Sequence, residues 1–278
     1  MKKFFLFTLM SILFLSTNYA QVKISGELRT RTEVNHGSIK LPEENTPAAI
    51  YTAQRSRLNL DYKAENLTYR ISFQATNAWG DQSIVSKTGV WSDSISFSLK
   101  ESWVNIKFNE YYNLKLGRQY LKYDSQKLLS WRNWNHYALA YDAALLKYAK
   151  NDFSGDLGLS WNSRQDRLTG TGFGTNDYYD DGRRMKSLNF MYLKKTLANS
   201  YLSFSFINTI YQKPGTSDVF NLKYTMGSYY TLKAGNLSFR SEFYYQFGEE
   251  AAGNSVESYM YSGELGFTMG KFKPSISF

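Results

Sequence analysis

The sequence has no cysteine, two histidines and four prolines in 278 residues. Without cysteine there is no disulfide, no thiolate metal site and no lipid-modified amino-terminal cysteine. His36 and His136 do not stand at metal-ligand spacing, so the common zinc patterns are missing and no metal is expected. No cofactor is expected either: Gly170 to Gly174 has the look of a phosphate loop but lacks the following Lys-Ser/Thr and any helix after it. After residue 20 no apolar run reaches the ~20 residues of a membrane helix, so a membrane-bound chain of this kind crosses as strands. Clustered Lys/Arg runs are absent, which argues against a nucleic-acid partner.

Aromatic residues, in contrast, are abundant, with 23 Tyr, 19 Phe and 6 Trp. Residues 1–20 carry Lys2 and Lys3, an apolar run from Phe4 to Leu15, and the ending Thr17-Asn18-Tyr19-Ala20. This is the pattern of a signal peptide, with cleavage expected after Ala20. Its apolar core is shorter than a membrane span. The remainder, 21–278, is expected to be one β-barrel domain. Removal of the leader takes Lys2 and Lys3 from the 33 basic residues and nothing from the 24 acidic ones, which leaves a basic surplus suited to attracting anions.

The period-two pattern is clearest in the first segment after the leader. Val22, Ile24, Gly26, Leu28, Thr30, Thr32 and Val34 alternate with Lys23, Ser25, Glu27, Arg29, Arg31 and Glu33. Alternate residues of a strand face opposite sides, so one side is charged and the other is not. Leu58, Leu60 and Tyr62 oppose Arg55, Arg57, Asn59 and Asp61, and Tyr69, Ile71 and Phe73 oppose Arg70, Ser72 and Gln74. Near the carboxyl end Phe239, Phe243 and Tyr245 oppose Arg240, Glu242 and Gln246.

Soluble sandwiches alternate in the same way, and the connections separate the two architectures. Short polar joints recur near Lys63–Asn66, Asn109–Tyr112, Lys150–Ser154, Thr196–Ser200, Ala234–Asn236 and Met269–Lys271. Longer Gly/Asp/Asn-rich stretches lie between most of them, at Asn35–Ala49, Asn77–Asp93, Asp124–Tyr137 and Ser163–Arg184. Short turns on one rim and long loops on the other predict an all-β, antiparallel transmembrane outer-membrane barrel. Tyr69, Tyr111, Tyr112, Tyr201 and Phe239 near the turns, and Trp79, Trp91, Trp131, Trp134 and Trp161 near the loops, are placed as interfacial girdles would be. Trp131 and Trp134 have a second reading as platforms for sugar rings at a pore mouth. Twelve strands end near Gly270 and Phe272–Phe278 begins a thirteenth. Because bacterial barrels have even strand numbers, the expectation is a barrel incomplete at its carboxyl end. The alternative makes Phe278 the closing residue, with Ile276 and Phe272 on its face.

The middle of the chain resembles the alginate-export family of outer-membrane porins. The likeness rests on Glu101-Ser102-Trp103-Val104-Asn105-Ile106, Leu116-Gly117-Arg118-Gln119, Tyr123, Trp134 and Tyr141-Asp142-Ala143, together with Gly26 to Arg31 and Arg55 to Leu58. The resemblance implies a monomeric eighteen-stranded barrel that exports acidic polysaccharide past a basic constriction. It also implies a Gram-negative outer-membrane location, surrounding lipid, and insertion by the barrel-assembly machinery. The loop after Gln119 departs from the family in having no glycine after Tyr123 and lysine where an arginine is typical.

The residues support selection by electrostatics. Arg29, Arg31, Arg55, Arg57, Arg70, Lys107 and Arg240 on one polar face would concentrate anions, and guanidinium binds carboxylate through two hydrogen bonds. Glu27, Glu33, Asp61, Glu101 and Glu242 on that face are expected to pair with the arginines. The same charges would also serve as a scaffold of ion pairs that fills the interior. Arg118 and Asp142 join the expected pore-lining set, although Arg118 is in phase with Leu114 and Leu116 and needs a bulge at Gly117 to turn inward. The expected function is therefore a channel for anionic solutes or acidic polysaccharide. A non-conducting structural or adhesive barrel is the second reading, and a hydrolase using His136 with Asn133 or Asn135 lacks any nucleophile that stands out.

Overall fold

Alternation of apolar and polar side chains, broken by Gly, Asn and Asp, produces extended segments joined by turns. The computed structural model describes residues 21–37, 41–80, 96–162, 185–213 and 219–278. The expected leader, Trp91, Gly170 to Gly174 and most of the expected loops at Asn77–Asp93 and Ser163–Arg184 lie outside the described residues. Among the described residues the chain is all-β, with strands β1 (Gln21–Asn35), β2 (Ala49–Lys63), β3 (Leu67–Ala78), β4 (Ser96–Lys107), β5 (Tyr112–Gln119), β6 (Tyr141–Lys150), β7 (Phe153–Trp161), β8 (Ser187–Leu197), β9 (Ser200–Gln212), β10 (Phe220–Ala234), β11 (Leu237–Glu249), β12 (Ser255–Phe267) and β13 (Ser275–Ser277). Two units divide it, Met1–Leu99 and Lys100–Phe278. In the first, β1 pairs with β2 and β2 with β3; in the second, each strand from β4 to β13 pairs antiparallel with its chain neighbour.

The short joints form where expected, and their chemistry is local. At the β4–β5 turn Asn109 Oδ1 accepts from the backbone N–H of Tyr111 and of Tyr112, at 2.8 and 2.9 Å. That side-chain mimic of a turn closes the hairpin. The two connections outside the expected long set, 213–219 and 250–254, are short. The thirteenth strand is also shorter than expected, pairing with β12 only over Ser275–Ser277.

Burial runs opposite to that of a water-soluble sheet. On β1, Ile24 is 67% exposed and Leu28 71%, while Glu27, Arg29 and Arg31 between them are half-buried. On β2, Arg55 is 1% exposed, whereas Leu58, on the opposite side of the strand, is 47% exposed. Exposing Leu or Ile to water forfeits roughly 1.5–3 kcal/mol each, so this arrangement suits strands whose apolar side faces lipid. The second unit repeats it: Leu157, Leu202, Phe204, Phe243 and Tyr261 are exposed, while Asp156, Ser203 and Glu242 are buried.

Candidate functional site

The charged residues of the first unit are brought onto one buried face by register. Glu27 stands opposite Arg57, and Arg29 opposite Arg55. Glu27 accepts from Arg55 Nε at 3.0 Å and from a second Arg55 nitrogen, and lies 3.4 Å from Arg57. Arg57 Nε donates to Gln74 Oε1 at 2.7 Å. One half-exposed carboxylate thus serves two buried guanidiniums, which burial alone would strongly disfavour. Farther along, Arg70 holds Asp61 through two bonds of 2.7 and 3.0 Å, and Arg31 lies 2.5 Å from Glu33. A second layer is uncharged, with Ser72 donating to Asn59 at 2.6 Å and Asn59 to Ser25 at 3.3 Å.

In the second unit, Lys100 and Glu101 are both buried although consecutive. Phe97 and Leu99 before them are exposed at odd positions, whereas Val104 and Ile106 pair with the outward Leu116 and Leu114, so the phase of β4 changes at Lys100–Glu101. This local irregularity turns two neighbouring charges to the same side. Glu101 accepts from Trp103 Nε1 at 2.9 Å, and Lys115 lies 3.8 Å from the centre of the Trp103 ring. Lys107 ends β4 as an exposed residue opposite Asn113.

Arg118 and Asp142 depart from the expected set. Gly117 has φ +114°, but pairing runs unbroken through it on both sides, Trp103 and Ala143 standing opposite. With no residue inserted, Arg118 keeps the phase of Leu114 and Leu116 and is exposed; it binds Asp142 on the adjacent strand through bonds of 2.8 and 2.7 Å. Gln119, the next residue, is the buried one, and its side chain donates to the Ala143 carbonyl at 2.9 Å.

The principal feature that sequence periodicity missed is the connection 120–140, expected as an outer loop. Its first part lies on the buried face and bridges five strands. Tyr123 donates to Asp156 of β7 at 2.7 Å. Asp124 accepts from Tyr192 of β8 and Ser203 of β9, both at 2.7 Å. Ser125 donates to Glu242 of β11, and Lys127 reaches Glu242 at 2.6 Å and Ser262 of β12 at 3.0 Å. Asp124 and Gln126 have positive φ, 47° and 65°, a backbone choice that costs a non-glycine residue of order 1 kcal/mol and recurs at functional sites. Burial raises the Asp124 carboxyl above its usual range, against the opposing pull of its hydroxyl donors and Lys194.

Apolar packing fastens the same loop. Leu121 and Leu129 are buried with Leu145, Leu188, Phe190, Tyr192 and Ile207, and Tyr123 lies edge-on to Phe190 at 5.4 Å. Gly158 makes room: a Cβ there would fall 2.0 Å from the Phe190 ring. The face therefore carries apolar side chains beneath the loop as well as charge. A sequence signal existed in the consecutive Leu128-Leu129 after the polar run Asp124 to Lys127, and in the in-phase Lys147 and Asp156, which pair at 2.5 Å. Glu242 finds its cation in this loop, while Arg240 pairs with Glu264 across β11–β12. Tyr201, expected in a girdle, stacks instead on the buried Tyr229 at 5.5 Å with Lys194 over its ring. Of the two loop tryptophans, Trp131 packs edge-on against Tyr120 at 5.2 Å and Trp134 is 70% exposed.

The family described as alginate export matches residues 20–277. No curated protein matches in sequence. Among solved structures the chain is similar to OccK8 (OprE) of Pseudomonas aeruginosa, with TM-score 0.59 and 11% identity over 93% of this chain and 67% of that one. It is also similar to OccAB1 of Acinetobacter baumannii, with TM-score 0.55 and 10% identity over 93% and 64%, and to OpdL of Pseudomonas aeruginosa, with 0.51 and 17% over 95% and 65%. The chain spans about two thirds of the length of each. At such identities the likeness carries the fold alone, that of outer-membrane β-barrels.

Proposed function

Because the chain belongs to the alginate export family, an outer-membrane family of β-barrel fold, we propose that it forms a channel that passes anionic solutes, acidic polysaccharide among them. The observation that carries this reading is the clustering of Arg29, Arg55 and Arg57 with Glu27 on a face whose alternate side is apolar and exposed. Three guanidiniums gathered on one low-dielectric wall focus a positive potential there, and such a potential attracts anions. Their forked geometry fits carboxylates.

The polar partners keep that attraction moderate. Arg70 is matched by Asp61 and Arg240 by Glu264, so these two cations are neutralised in place. Conduction needs sites that bind and also release. The Tyr123 to Lys127 segment narrows the way in the second unit; Asp156, itself paired with Lys147, and Glu242 hold it.

Reversal potentials of the purified chain in planar bilayers under a salt gradient test the proposal. The expected result is a conductance that prefers anions and loses that preference when Arg29, Arg31, Arg55 and Arg57 are changed to Gln. Absence of conductance would favour the non-conducting adhesive barrel, and a preference unchanged by the four substitutions would remove the guanidinium cluster from the mechanism.

A further inference from the structure

Antiparallel pairing puts the short joints of the second unit, 107–112, 150–153, 197–200, 234–237 and 267–275, on one rim. Lys107, Lys150, Lys195, Lys233, Lys271 and Lys273 stand exposed at or beside these joints, whereas Glu110 and Asp152 are the acids within them. This rim is therefore basic in excess, although both signs are dispersed along the chain as a whole. The short turns of an outer-membrane barrel meet the periplasmic leaflet, and lysine near a membrane surface is drawn to anionic headgroups. Charge alone does not make a site, but register gives one stretch of this rim a defined shape.

Lys150 at the end of β6 stands opposite Phe153 of β7, and Phe153 stands opposite Lys195 of β8. All three are exposed and in phase with the outward residues of their strands, Leu146 and Leu157 among them, on the side that faces lipid. The two lysines are two strand spacings apart, about 10 Å, a gap that their four-carbon stems can close on one phosphate. Lys195 Nζ holds Asp152 at 2.7 Å with half of its side chain exposed, and Lys150 Nζ lies 4.9 Å from the centre of the Tyr111 ring. An ammonium has three N–H donors, so its bond to Asp152 leaves Lys195 able to take a second anion. Below the lysines Tyr112, Tyr148 and Phe153 form an aromatic shelf, with ring centres 5.0 and 6.1 Å apart. Gly155, the next outward residue of β7, stands between Tyr148 and Leu193 and adds no side chain to the wall; a Cβ there would fall 3.0 Å from Leu193 Cδ2. A shallow trough thus runs from the two lysines past Gly155 to the exposed Leu157.

We propose that this stretch of the rim is a binding site for one anionic glycerophospholipid, its phosphate held between Lys150 and Lys195 and an acyl chain laid in the trough beside Gly155. Cations directly above an apolar trough call for charge and alkyl chain on the same molecule. An acidic peptide would cover the lysines and leave the trough bare. Two lysines against Asp152 leave one positive charge, which a phosphodiester balances, whereas a zwitterionic headgroup brings its own ammonium toward them. The site depends on this side of the sheet meeting lipid and is independent of whether the pore conducts.

Native mass spectrometry of the full chain released from detergent micelles tests the proposal, with phosphatidylglycerol, phosphatidylethanolamine, inorganic phosphate or a short polyglutamate peptide added in turn. One phosphatidylglycerol is expected to stay bound, and phosphatidylethanolamine to be retained at least about fivefold less, the scale of one lysine at an anionic surface. Lys150→Gln and Lys195→Gln are each expected to lower phosphatidylglycerol retention by about the same factor. Lys233→Gln, on the same rim but outside the trough, should leave it unchanged. Asp152→Asn releases Lys195 from its carboxylate and is expected to raise retention, a gain that a damaged fold does not produce. Equal retention of the two lipids, or an equal loss in Lys233→Gln, would overturn the site in favour of diffuse rim charge. Inorganic phosphate held as firmly as the lipid would overturn the role of the trough, and the peptide retained in place of lipid would make the rim a protein contact. Selective lipid retention in a chain that does not conduct removes the channel alone, and an anion-selective conductance without it removes the lipid site alone.

Discussion

Arg29 and Arg55 stand directly opposite one another across β1 and β2, two like charges in register, with Glu27 bound to the second of them. Opposed like charges destabilise a sheet, so removing one member should relieve it while removing the shared acid should aggravate it. Glu27→Gln takes the Glu27 carboxylate from the 1% exposed Arg55 guanidinium. The expected cost is about 2–3 kcal/mol, below the full ~3–5 kcal/mol of a wholly buried pair because Glu27 is partly solvated. Arg29→Gln should be neutral or stabilising and should still reduce anion preference. Urea unfolding of the two variants, beside their reversal potentials, measures both effects, and two equal losses of stability would contradict the pairing.

The docking of the 120–140 loop should weaken as pH rises. Burial lifts the Asp124 carboxyl above its ordinary 3.8, so the docked loop binds that proton more tightly than the released loop. The contribution is full below about 3.8 and is lost as pH climbs through the raised value of the docked state. Tyr192, Tyr201, Ser203, Lys194 and Tyr244 surround the carboxyl. Emission from Trp131, on the same loop, should shift with pH above this range and stop shifting in Asp124→Asn. A shift that persists in the variant would assign the titration elsewhere.

Glycine 117 and glycine 26 make a paired test of backbone demand. At Gly117 φ is +114° and a Cβ would lie 2.2 Å from the Ser102 carbonyl oxygen; at Gly26 the nearest atom would be the Arg57 carbonyl oxygen at an ordinary 3.6 Å. Gly117→Ala must both strain the backbone and push β4 away, at an expected cost of about 1–3 kcal/mol or more. Gly26→Ala should stay within about 0.5 kcal/mol. The temperature at which each folded chain loses its compact form on unboiled gels reports the contrast, and equal temperatures would count against it.

The barrel-type architecture was legible because its cause is periodic. Val22 to Val34 and Leu58 to Phe73 state in every second residue which side faces lipid, and Asn109 or Gly235 marks a turn with its own side chain or φ. Glu27, Arg55, Arg57, Asp61 and Arg70 could be placed together for the same reason. The loop segment had no such key. Tyr123 meets Asp156, and Lys127 meets Glu242, across long stretches of chain and with no period linking the partners. Local pattern says which face Glu242 is on; it does not say that the cation on that face comes from a connection. Arg118 shows the opposite case, since phase alone placed it outward with Leu116, and the positive φ of Gly117 did not reverse that.

Leu28 reports the medium around the strands. This side chain is 71% exposed in the middle of β1, on the side away from Arg29. In water, Leu28→Lys would be harmless or favourable, because a solvated cation replaces an exposed alkyl group. In a bilayer the lysine must sit in hydrocarbon, at an expected cost of about 2–4 kcal/mol near the midplane. Leu28→Ala removes the same alkyl group without adding charge and should cost much less. Equilibrium unfolding in lipid vesicles gives the two values. A lysine variant as stable as the alanine one would mean that this side of β1 is wet, and the pore would have to be sought on another face.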